Sequence, residues 1–380
     1  MTRHSVPRDP REPHRAATPL ELFFDLCFVV AIAQAATGLH HGLSEAHVGD
    51  AVLGYGLVFF AIWLAWVNFT WLSSAYDSGD VPYKLDVFAQ MTGVLVLAAG
   101  VPRAVSGDFT VITLGYVIMR VGLVAIWLRV ACLDVGRRRT ALRYAAGVVA
   151  CQAGWIALLL FPRDWWVGGF GVLAPAELLV PAWAESAGRT PWHPHHIAER
   201  YGLMTIIVLG ESVLAATVAI QSVLDAPLMT TSLAGLIVGA VLILFSMWWV
   251  YFEHPGHLLL SSNRAAFQYG YGHLIVFSAI AAVGAGLSVA VDQAAGRTHL
   301  STVAAGAVVA VPVVLYLTSV WVLLHRPLDR RPVSAAVFLL TAAFILGAAA
   351  SAAAVFLIGV LMCALLVVLS LTRPAGWPEH

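Results

Sequence analysis

Long apolar stretches separated by short polar segments dominate this sequence. Each stretch runs for about 20 residues, the length that an α-helix needs to cross the hydrocarbon core of a bilayer. The pattern therefore predicts an all-α, polytopic transmembrane helical bundle of about twelve spans. The predicted spans are 20–38, 51–73, 85–102, 109–132, 144–161, 166–186, 199–220, 232–253, 267–291, 301–324, 333–350 and 353–371.

Composition supports a chain surrounded by lipid. The 380 residues are 60% hydrophobic and only 11% charged, whereas soluble domains carry roughly 25% charged residues. The formal net charge is zero, which argues against a nucleic-acid partner. The basic first 18 residues are followed by an apolar run without a small-residue cleavage site, so we interpret that run as a retained first span.

The loop cations predict the orientation. With the N-terminus inside, sixteen Lys and Arg residues fall on the cytoplasmic side, and only Arg103, Arg163 and Arg297 fall on the other. Arg120 and Arg129 lie within the fourth predicted span. Because loop cations favour the cytoplasm, we expect a multi-pass protein of the cytoplasmic membrane with both termini inside.

The chain also predicts two halves. A cytoplasmic tail (1–19) precedes a first six-helix half (20–186), a cytoplasmic connector (187–198), a second six-helix half (199–372) and a cytoplasmic tail (373–380). The two halves show similar segments, Glu21-Leu-Phe23 beside Glu199-Arg-Tyr201 and Trp66-Val-Asn-Phe69 beside Trp249-Val-Tyr-Phe252. These matches favour a 6+6 parallel duplication, a common transporter design; chance similarity of aromatic span ends is the alternative.

Two stretches resemble a known family. Residues 18–34 (TPLELFFDLCFVVAIAQ) look like the first helix of the bacterial low-temperature-requirement A family, and residues 197–212 (IAERYGLMTIIVLGES) are similar to its seventh-helix signature. Residues 66–83 resemble the aromatic-then-acidic segment after its second helix, and residues 248–253 the end of its eighth. The family's name reports a growth phenotype in the cold, so the resemblance implies a membrane fold and no settled activity.

Three charged residues are predicted at bilayer depth, where an ionisable side chain by default marks a functional site. Glu211 lies twelve residues into the seventh predicted span, about 18 Å along the helix, and Arg120 and Glu177 reach similar depths. We expect Glu211 and Arg120 to line a polar cavity; a buried pair that only fixes helix register is the alternative. For Glu177, a charge that faces a locally bent helix or the membrane interface is the favoured interpretation, because Pro175 and Pro181 interrupt that span.

A second layer of charge is predicted near the cytoplasmic face. Glu21 and Asp25 are four residues apart and so share one helix face. Acids near helix N-termini are favoured by the helix dipole, which accounts for Glu21 and Glu199, but Asp25 lies a turn too deep for that account alone. The other charged residues of this layer are Asp77, Asp80, Asp86, Arg200 and Glu253.

Histidines and tryptophans add weaker candidates. His193, His195 and His196 precede the seventh predicted span, and His254 and His257 follow the eighth. No stretch has established ligand spacing, so we predict no metal site, and His254 and His257 are only weak candidates. Most tryptophans fit an interfacial belt, but Trp63, Trp66 and Trp71 are scattered around the second helix, so that some are expected to point inward.

Two functions are favoured at this point, and a membrane-stress or cold-response factor without flux or chemistry of its own is a third possibility. The first is a transporter or channel for a small solute or ion, proton-coupled through buried carboxylates: Glu211 carries the proton or cation, Arg120 holds an anionic group or resets the Glu, and Asp25 with Glu199 forms the inner gate. The alternative is a membrane-embedded enzyme acting on a lipid or isoprenoid-like substrate, with Asp25 or Glu211 as general acid. Walker, dinucleotide and GxSxG motifs are absent, and no cofactor is predicted.

Overall fold

The chain is predominantly helical in the part that the computed structural model describes, which comprises residues 12, 15–105, 107–224 and 231–372. Those residues form twelve α-helices and no strand, so the all-α prediction is confirmed. The helices are α1 (Pro19–Ser44), α2 (Val48–Tyr76), α3 (Val81–Val105), α4 (Thr110–Leu133), α5 (Arg138–Leu158), α6 (Trp166–Glu185), α7 (Pro194–Leu224), α8 (Thr231–Phe252), α9 (Asn263–Ala294), α10 (Thr302–Val320), α11 (Pro332–Ala348) and α12 (Ala354–Leu371).

Eleven of these helices are long and apolar enough to cross a membrane, counted over the described residues. The twelfth, α11, is apolar but has 17 residues. Both prolines of α6 lie inside one continuous helix, and the last apolar stretch is divided between α11 and α12, as predicted. The protein is therefore a multi-pass helical membrane protein.

Several helices extend past the predicted apolar spans. The first helix continues to Ser44 rather than 38, α5 begins at Arg138 rather than 144, and α7 begins at Pro194, inside the predicted connector. Hydropathy marks where the hydrocarbon core of the membrane ends, whereas a helix can continue beyond it until residues that terminate helices occur in the sequence. Most of the two predicted tails lies outside the described residues, including Arg3, Arg8, Arg11 and Arg373.

The chain divides into two compact units, and α1, α2 and α7 each contribute to both. The first unit comprises Met1–Ala35 and Leu57–Arg200. Within it, α3 and α4 pack backbone to backbone, because a Cβ added at Gly115 would lie 2.5 Å from the Leu97 nitrogen and one at Gly93 would lie 2.6 Å from the Gly115 oxygen. Small residues permit such close packing of helices in lipid.

The second unit comprises Ala36–Gly56 and Tyr201–His380. Its α9 is buried on nearly every side from Ala279 to Val291, as expected of a helix that is apolar all round. Ser212 of α7 donates a hydrogen bond to the Ile280 carbonyl of α9 at 2.9 Å. Close glycine packing recurs between α8 and α12, where a Cβ at Gly359 would lie 2.7 Å from the Gly239 oxygen.

Candidate functional site: a buried charge network

Two carboxylates near the start of α1 lie fully inside the first unit. Glu21 and Asp25 are one helical turn apart, with 1% and 0% of their surfaces exposed. The i, i+4 spacing gives them a common face. An isolated charge cannot be buried in this way without large loss of hydration energy, so the partners of each carboxylate decide what the site can do.

The partners come from α7 and repeat the same spacing. His196 Nε2 lies 3.2 Å from Glu21 Oε2, and Arg200 Nη2 donates to Asp25 Oδ1 at 2.7 Å. Both partner side chains are fully buried. Because both pairs advance by four residues along both helices, the starts of α1 and α7 run parallel, with the two paired levels about 6 Å apart. We call these four residues the charge ladder.

Two further helices, α2 and α3, lie beside the charge ladder. Trp66 of α2 donates its indole N–H to Asp25 Oδ1 at 2.7 Å, so this oxygen accepts two hydrogen bonds. Tyr83 of α3 is fully buried and close enough to Glu21 and Arg200 to interact with them electrostatically. The ladder thus lies among four helices and combines two acids, two bases and aromatic side chains.

The polar end of the ladder is closed by the segment before α1. Arg15 donates to the carbonyl oxygens of Ser73 and Ser74 in the last turn of α2, where a cation satisfies carbonyls that have no partner within the helix. The Thr18 nitrogen donates to Glu21 Oε2 at 2.8 Å, and the Ala17 nitrogen donates to Glu199 Oε1 at 3.2 Å. This closure explains why Glu21 and Asp25 are shielded from water although α1 begins only two to six residues earlier.

The ladder has more polar atoms than its own pairs satisfy. Asp25 Oδ2, His196 Nδ1, and the Nε and Nη1 atoms of Arg200 are buried and make no hydrogen bond to any described residue. Each such atom destabilises the fold by about 1–3 kcal/mol, and more when charged. A pair whose only task is to fix helix register does not need this excess, so the surplus donors and acceptors are suited to a proton or a small polar ligand.

A second buried pair lies elsewhere in the first unit. Arg120 Nη2 of α4 lies 3.2 Å from Glu177 Oε1 of α6, with 4% and 5% of the side chains exposed. Tyr116 donates to Glu177 Oε2 at 3.0 Å and accepts a hydrogen bond from Arg120. Glu177 thus has Arg120 as its partner, whereas the sequence predicts a cavity that Arg120 shares with Glu211.

Tyr116 also lines a small aromatic pocket. The pocket has a volume of about 50 Å³ between α2, α4, α5 and α6. Phe60 and Trp155 pack edge-on against Phe170 at centroid distances of 5.2 and 5.3 Å. The buried indole N–H of Trp155 has no acceptor among the described residues. The Arg120–Glu177–Tyr116 group therefore borders a space with aromatic walls.

The predicted loop acids serve the start of α3. Asp80 accepts a hydrogen bond from the Tyr83 nitrogen at 3.0 Å, the geometry of a helix N-cap, and Arg129 of α4 binds both of its carboxylate oxygens. The hydrogen bonds from Arg129 lower the pKa of Asp80 from its ordinary 3.8 to about 2. Asp77 is buried and accepts from the Gly79 nitrogen at 2.9 Å, and Asp86 is half-buried on α3.

The remaining predicted site residues belong to the second unit. Glu211 is half-buried near the middle of α7, beside the buried Ser212. Glu253 follows α8 and is buried. His254 Nε2 lies 2.8 Å from His325 Nδ1, and His325 Nε2 lies 3.0 Å from the Val250 oxygen. Since that carbonyl can only accept, the His325 Nε2 carries the proton and the His254 Nε2–H donates to His325.

His257 is half-exposed in the turn after α8. Within the described part of the chain, no group of three His, Cys, Asp or Glu side chains is placed to hold a metal ion. The structure thus places the two weak metal candidates in different settings, His254 in a histidine pair and His257 in an exposed turn.

The sequence pattern does not single out three members of these sites. His196 belongs to a run of three nearby histidines, although its spacing of four from Arg200 mirrors that of Glu21 and Asp25. Trp66 is one of three tryptophans scattered around the second helix, and the pattern does not show which of them points inward. For Tyr116, the spacing of four from Arg120 is the signal that the sequence offers.

Comparison with known proteins covers nearly the whole chain. Residues 16–371 match the sequence model of a family described as bacterial low temperature requirement A protein. An uncharacterised protein of Rhizobium meliloti (strain 1021) is 28% identical over 301 residues, which cover 73% of this chain and 71% of that protein. No solved structure matches. The motif stretches 18–34 and 197–212 both lie inside the matched range.

Proposed function

The chain belongs to the bacterial low temperature requirement A family, as its motifs predict, and we propose that it is a proton-coupled transporter of a small anionic solute. The charge ladder of Glu21, Asp25, His196 and Arg200 is the proposed site. In this proposal the protein lies in the cytoplasmic membrane with both termini inside, an orientation that the excess of loop cations on one side supports.

One observation carries the proposal: Asp25 and Arg200 form an ion pair with no exposed surface while each keeps unused polar atoms. Buried ionisable groups within spans commonly mark proton relays and ion pathways. A guanidinium is planar and always charged, and binds carboxylate and phosphate-like oxygens well. Arg200 is therefore the proposed contact for the solute, and Asp25 is the proposed proton carrier.

The geometry suggests how the two would be coupled. The ionised Asp25 holds Arg200 at 2.7 Å. A proton added at Oδ2, the oxygen that accepts no hydrogen bond from a described residue, would remove the negative charge that neutralises Arg200. The guanidinium would then attract an anion in place of the carboxylate, so that one proton and one anionic group enter together. Glu21 and His196 would pass the proton along the next level.

The test is flux in proteoliposomes. Purified protein is reconstituted with an internal pH-sensitive dye, and phosphate, nitrate and chloride are supplied outside in turn. We expect wild-type protein to acidify the lumen with at least one of these anions. Asp25→Asn should abolish that acidification. Trp66→Phe keeps both charges and removes one hydrogen bond from Asp25, so it should shift the pH dependence of the flux.

The exposed acid Asp164 supplies the matched control, since Asp164→Asn removes one carboxylate outside the ladder and should leave flux unchanged. Folding of each variant is checked by helical circular dichroism. Wild-type flux that survives unaltered in folded Asp25→Asn and Trp66→Phe proteins would refute the role of the ladder. Absence of coupled proton flux with every anion of the panel would refute the proposal as a whole.

The aromatic pocket supports a second candidate, an enzyme acting on a lipid or isoprenoid-like substrate. Tyr116 lines the pocket and is hydrogen-bonded to Glu177, so it could deliver a proton to a substrate held on aromatic walls. The volume of about 50 Å³ accommodates a few water-sized groups rather than a whole chain, which makes transport the leading proposal. Product formation from membrane lipids that Tyr116→Phe abolishes would favour the enzyme; anion flux lost in Asp25→Asn and kept in Tyr116→Phe would favour transport.

A further inference from the structure

The second unit has an open groove that contains none of the charge ladder residues. It measures about 890 Å³ and is formed by the start of α9, the end of α10 and the connector to α11. Its lining combines apolar side chains, including Leu259, Val322 and Leu323, with three arginines and one aspartate. A groove that is apolar on one part and cationic on another is suited to an amphiphilic anion.

The arginines of the groove are not equally occupied. Arg331 makes a two-pronged ion pair with Asp329, at 2.8 and 2.9 Å, and also donates to the Thr372 carbonyl at 2.8 Å. Arg326 lies over the Trp321 ring, with 5.8 Å between the guanidinium carbon and the ring centroid. Arg326 and Arg330 are exposed and pair with no carboxylate in the described part of the chain. Among the described residues, these two positive charges of the groove thus have no carboxylate partner.

A local change of helix type brings Trp321 and Arg326 together. Residues Trp321–His325 form a π-helical turn that continues α10, and the Arg326 nitrogen donates to the Trp321 carbonyl at 2.7 Å. Such turns are rare in proteins, and those that occur are often found at functional sites. The buried Trp321 Nε1 has no acceptor among the described residues. The indole thus adds a neutral donor to the two free guanidinium groups.

The position of the groove fits a lipid headgroup. The connector 326–331 joins two apolar helices, so it lies where the hydrocarbon core ends and the headgroup region begins. Val322, with 45% of its surface exposed, lies one residue beyond Trp321 and supplies apolar surface beside the donors. Basic grooves between membrane helices bind anionic headgroups, and an acyl chain would cover the apolar wall.

We propose that this groove is a binding site for an anionic phospholipid. Arg326, Arg330 and the Trp321 N–H hold its phosphate, and an acyl chain lies against Leu259 and Val322. The cation-rich side of the predicted orientation makes this a lipid of the cytoplasmic leaflet. Free phosphate could bind the same donors but would leave the apolar wall uncovered. This difference distinguishes a phospholipid from free phosphate as the ligand.

The experiment counts lipids bound to the purified full-length protein by native mass spectrometry in detergent. Dioleoyl phosphatidylglycerol and dioleoyl phosphatidylcholine are the two probes. Each Lys or Arg near an anionic headgroup contributes about 1 kcal/mol, so Arg326→Gln and Arg330→Gln should each weaken phosphatidylglycerol binding about fivefold. Trp321→Phe keeps the apolar surface and removes the donor, and should weaken binding about tenfold.

The matched control is Arg139→Gln, which removes an exposed arginine of the first unit and should not change binding. The proposal is overturned if wild-type protein binds both lipids equally, or if Arg139→Gln weakens binding as much as Arg330→Gln. It is also overturned if excess inorganic phosphate displaces phosphatidylglycerol completely, because the site would then recognise a free anion. Loss of folded protein in Trp321→Phe leaves the two arginine variants to decide.

Discussion

Asp25 and Arg200, 175 residues apart in the sequence, form a direct ion pair of 2.7 Å in which neither side chain is exposed. The same carboxylate oxygen also accepts the indole N–H of Trp66. Removing two charges from water destabilises a fold unless each charge finds close partners. The pair therefore makes each residue dependent on the other, and this dependence can be measured.

Breaking the pair from either side should be strongly destabilising. Asp25→Asn leaves the Arg200 charge uncompensated, and Arg200→Gln does the same to Asp25, so each should lower the free energy of unfolding by about 3–5 kcal/mol. The double variant removes both charges and should lose less than the sum of the two. Denaturant titration in detergent micelles, followed by circular dichroism, gives the three values.

The control is a second double-mutant cycle that combines Asp25→Asn with Arg139→Gln in place of Arg200→Gln, because Arg139 is exposed on α5. Distant sites add within a few tenths of a kcal/mol, whereas contacting charges show coupling of about 0.5–3 kcal/mol. Additive losses for Asp25 and Arg200 would contradict the ion pair.

The sequence predicts the helices far better than their pairing. Twelve apolar stretches sufficed to find twelve helices, because each helix satisfies its own backbone and must match the membrane thickness. The common face of Glu21 and Asp25 was also predictable from spacing alone. Which helix faces that side depends on packing among distant segments, so the α7 partners His196 and Arg200 could not be assigned from local pattern.

Arg120 illustrates the same limit. Depth along the helix placed it at the level of Glu211 and of Glu177, and depth alone does not choose between them. The structure pairs Arg120 with Glu177 through Tyr116, within one unit, and Glu211 belongs to the other. The predicted cavity shared by Glu211 and Arg120, and the predicted duplication, remain predictions.

The Asp80–Arg129 pair should make stability depend on pH in acid. Because Arg129 holds the pKa of Asp80 at about 2, the folded state keeps this carboxylate ionised after the unfolded chain has begun to bind a proton. The pair's contribution is therefore present above about pH 4 and is lost as the pH falls toward 2. Asp80→Asn retains a good N-cap residue, so this variant isolates the contribution of the Asp80 charge to stability.

We expect Asp80→Asn to lower the free energy of unfolding at pH 7 by roughly 1 kcal/mol, since the pair is partly exposed. Melting temperatures measured at pH 7, 5 and 3 test this, because the difference in melting temperature between variant and wild type should be smaller at pH 3 than at pH 7. Asp164→Asn should show no comparable trend. A difference that grows as the pH falls would contradict the assigned direction.

The orientation can be tested with single cysteines in a Cys132→Ala background, because Cys132 is exposed. Arg139 and Asp164 are exposed near opposite ends of α5. With the N-terminus inside, Asp164→Cys should react with a membrane-impermeant maleimide in intact cells. Arg139→Cys should react only after permeabilisation. The reverse labelling pattern would place both termini outside.

The α3–α4 contact should tolerate little added volume. A Cβ at Gly115 would meet the Leu97 nitrogen and the Gly93 oxygen at 2.5 and 2.6 Å, and backbone atoms cannot rotate aside as side chains do. Gly115→Ala should therefore force the two helices apart and lower the free energy of unfolding by about 1–3 kcal/mol. Gly171 of α6 has nothing within 4 Å of its Cβ position, so Gly171→Ala should be neutral or stabilising by up to about 1 kcal/mol. Denaturant titration of both variants separates close packing from helix propensity, because propensity alone predicts that both substitutions stabilise the protein.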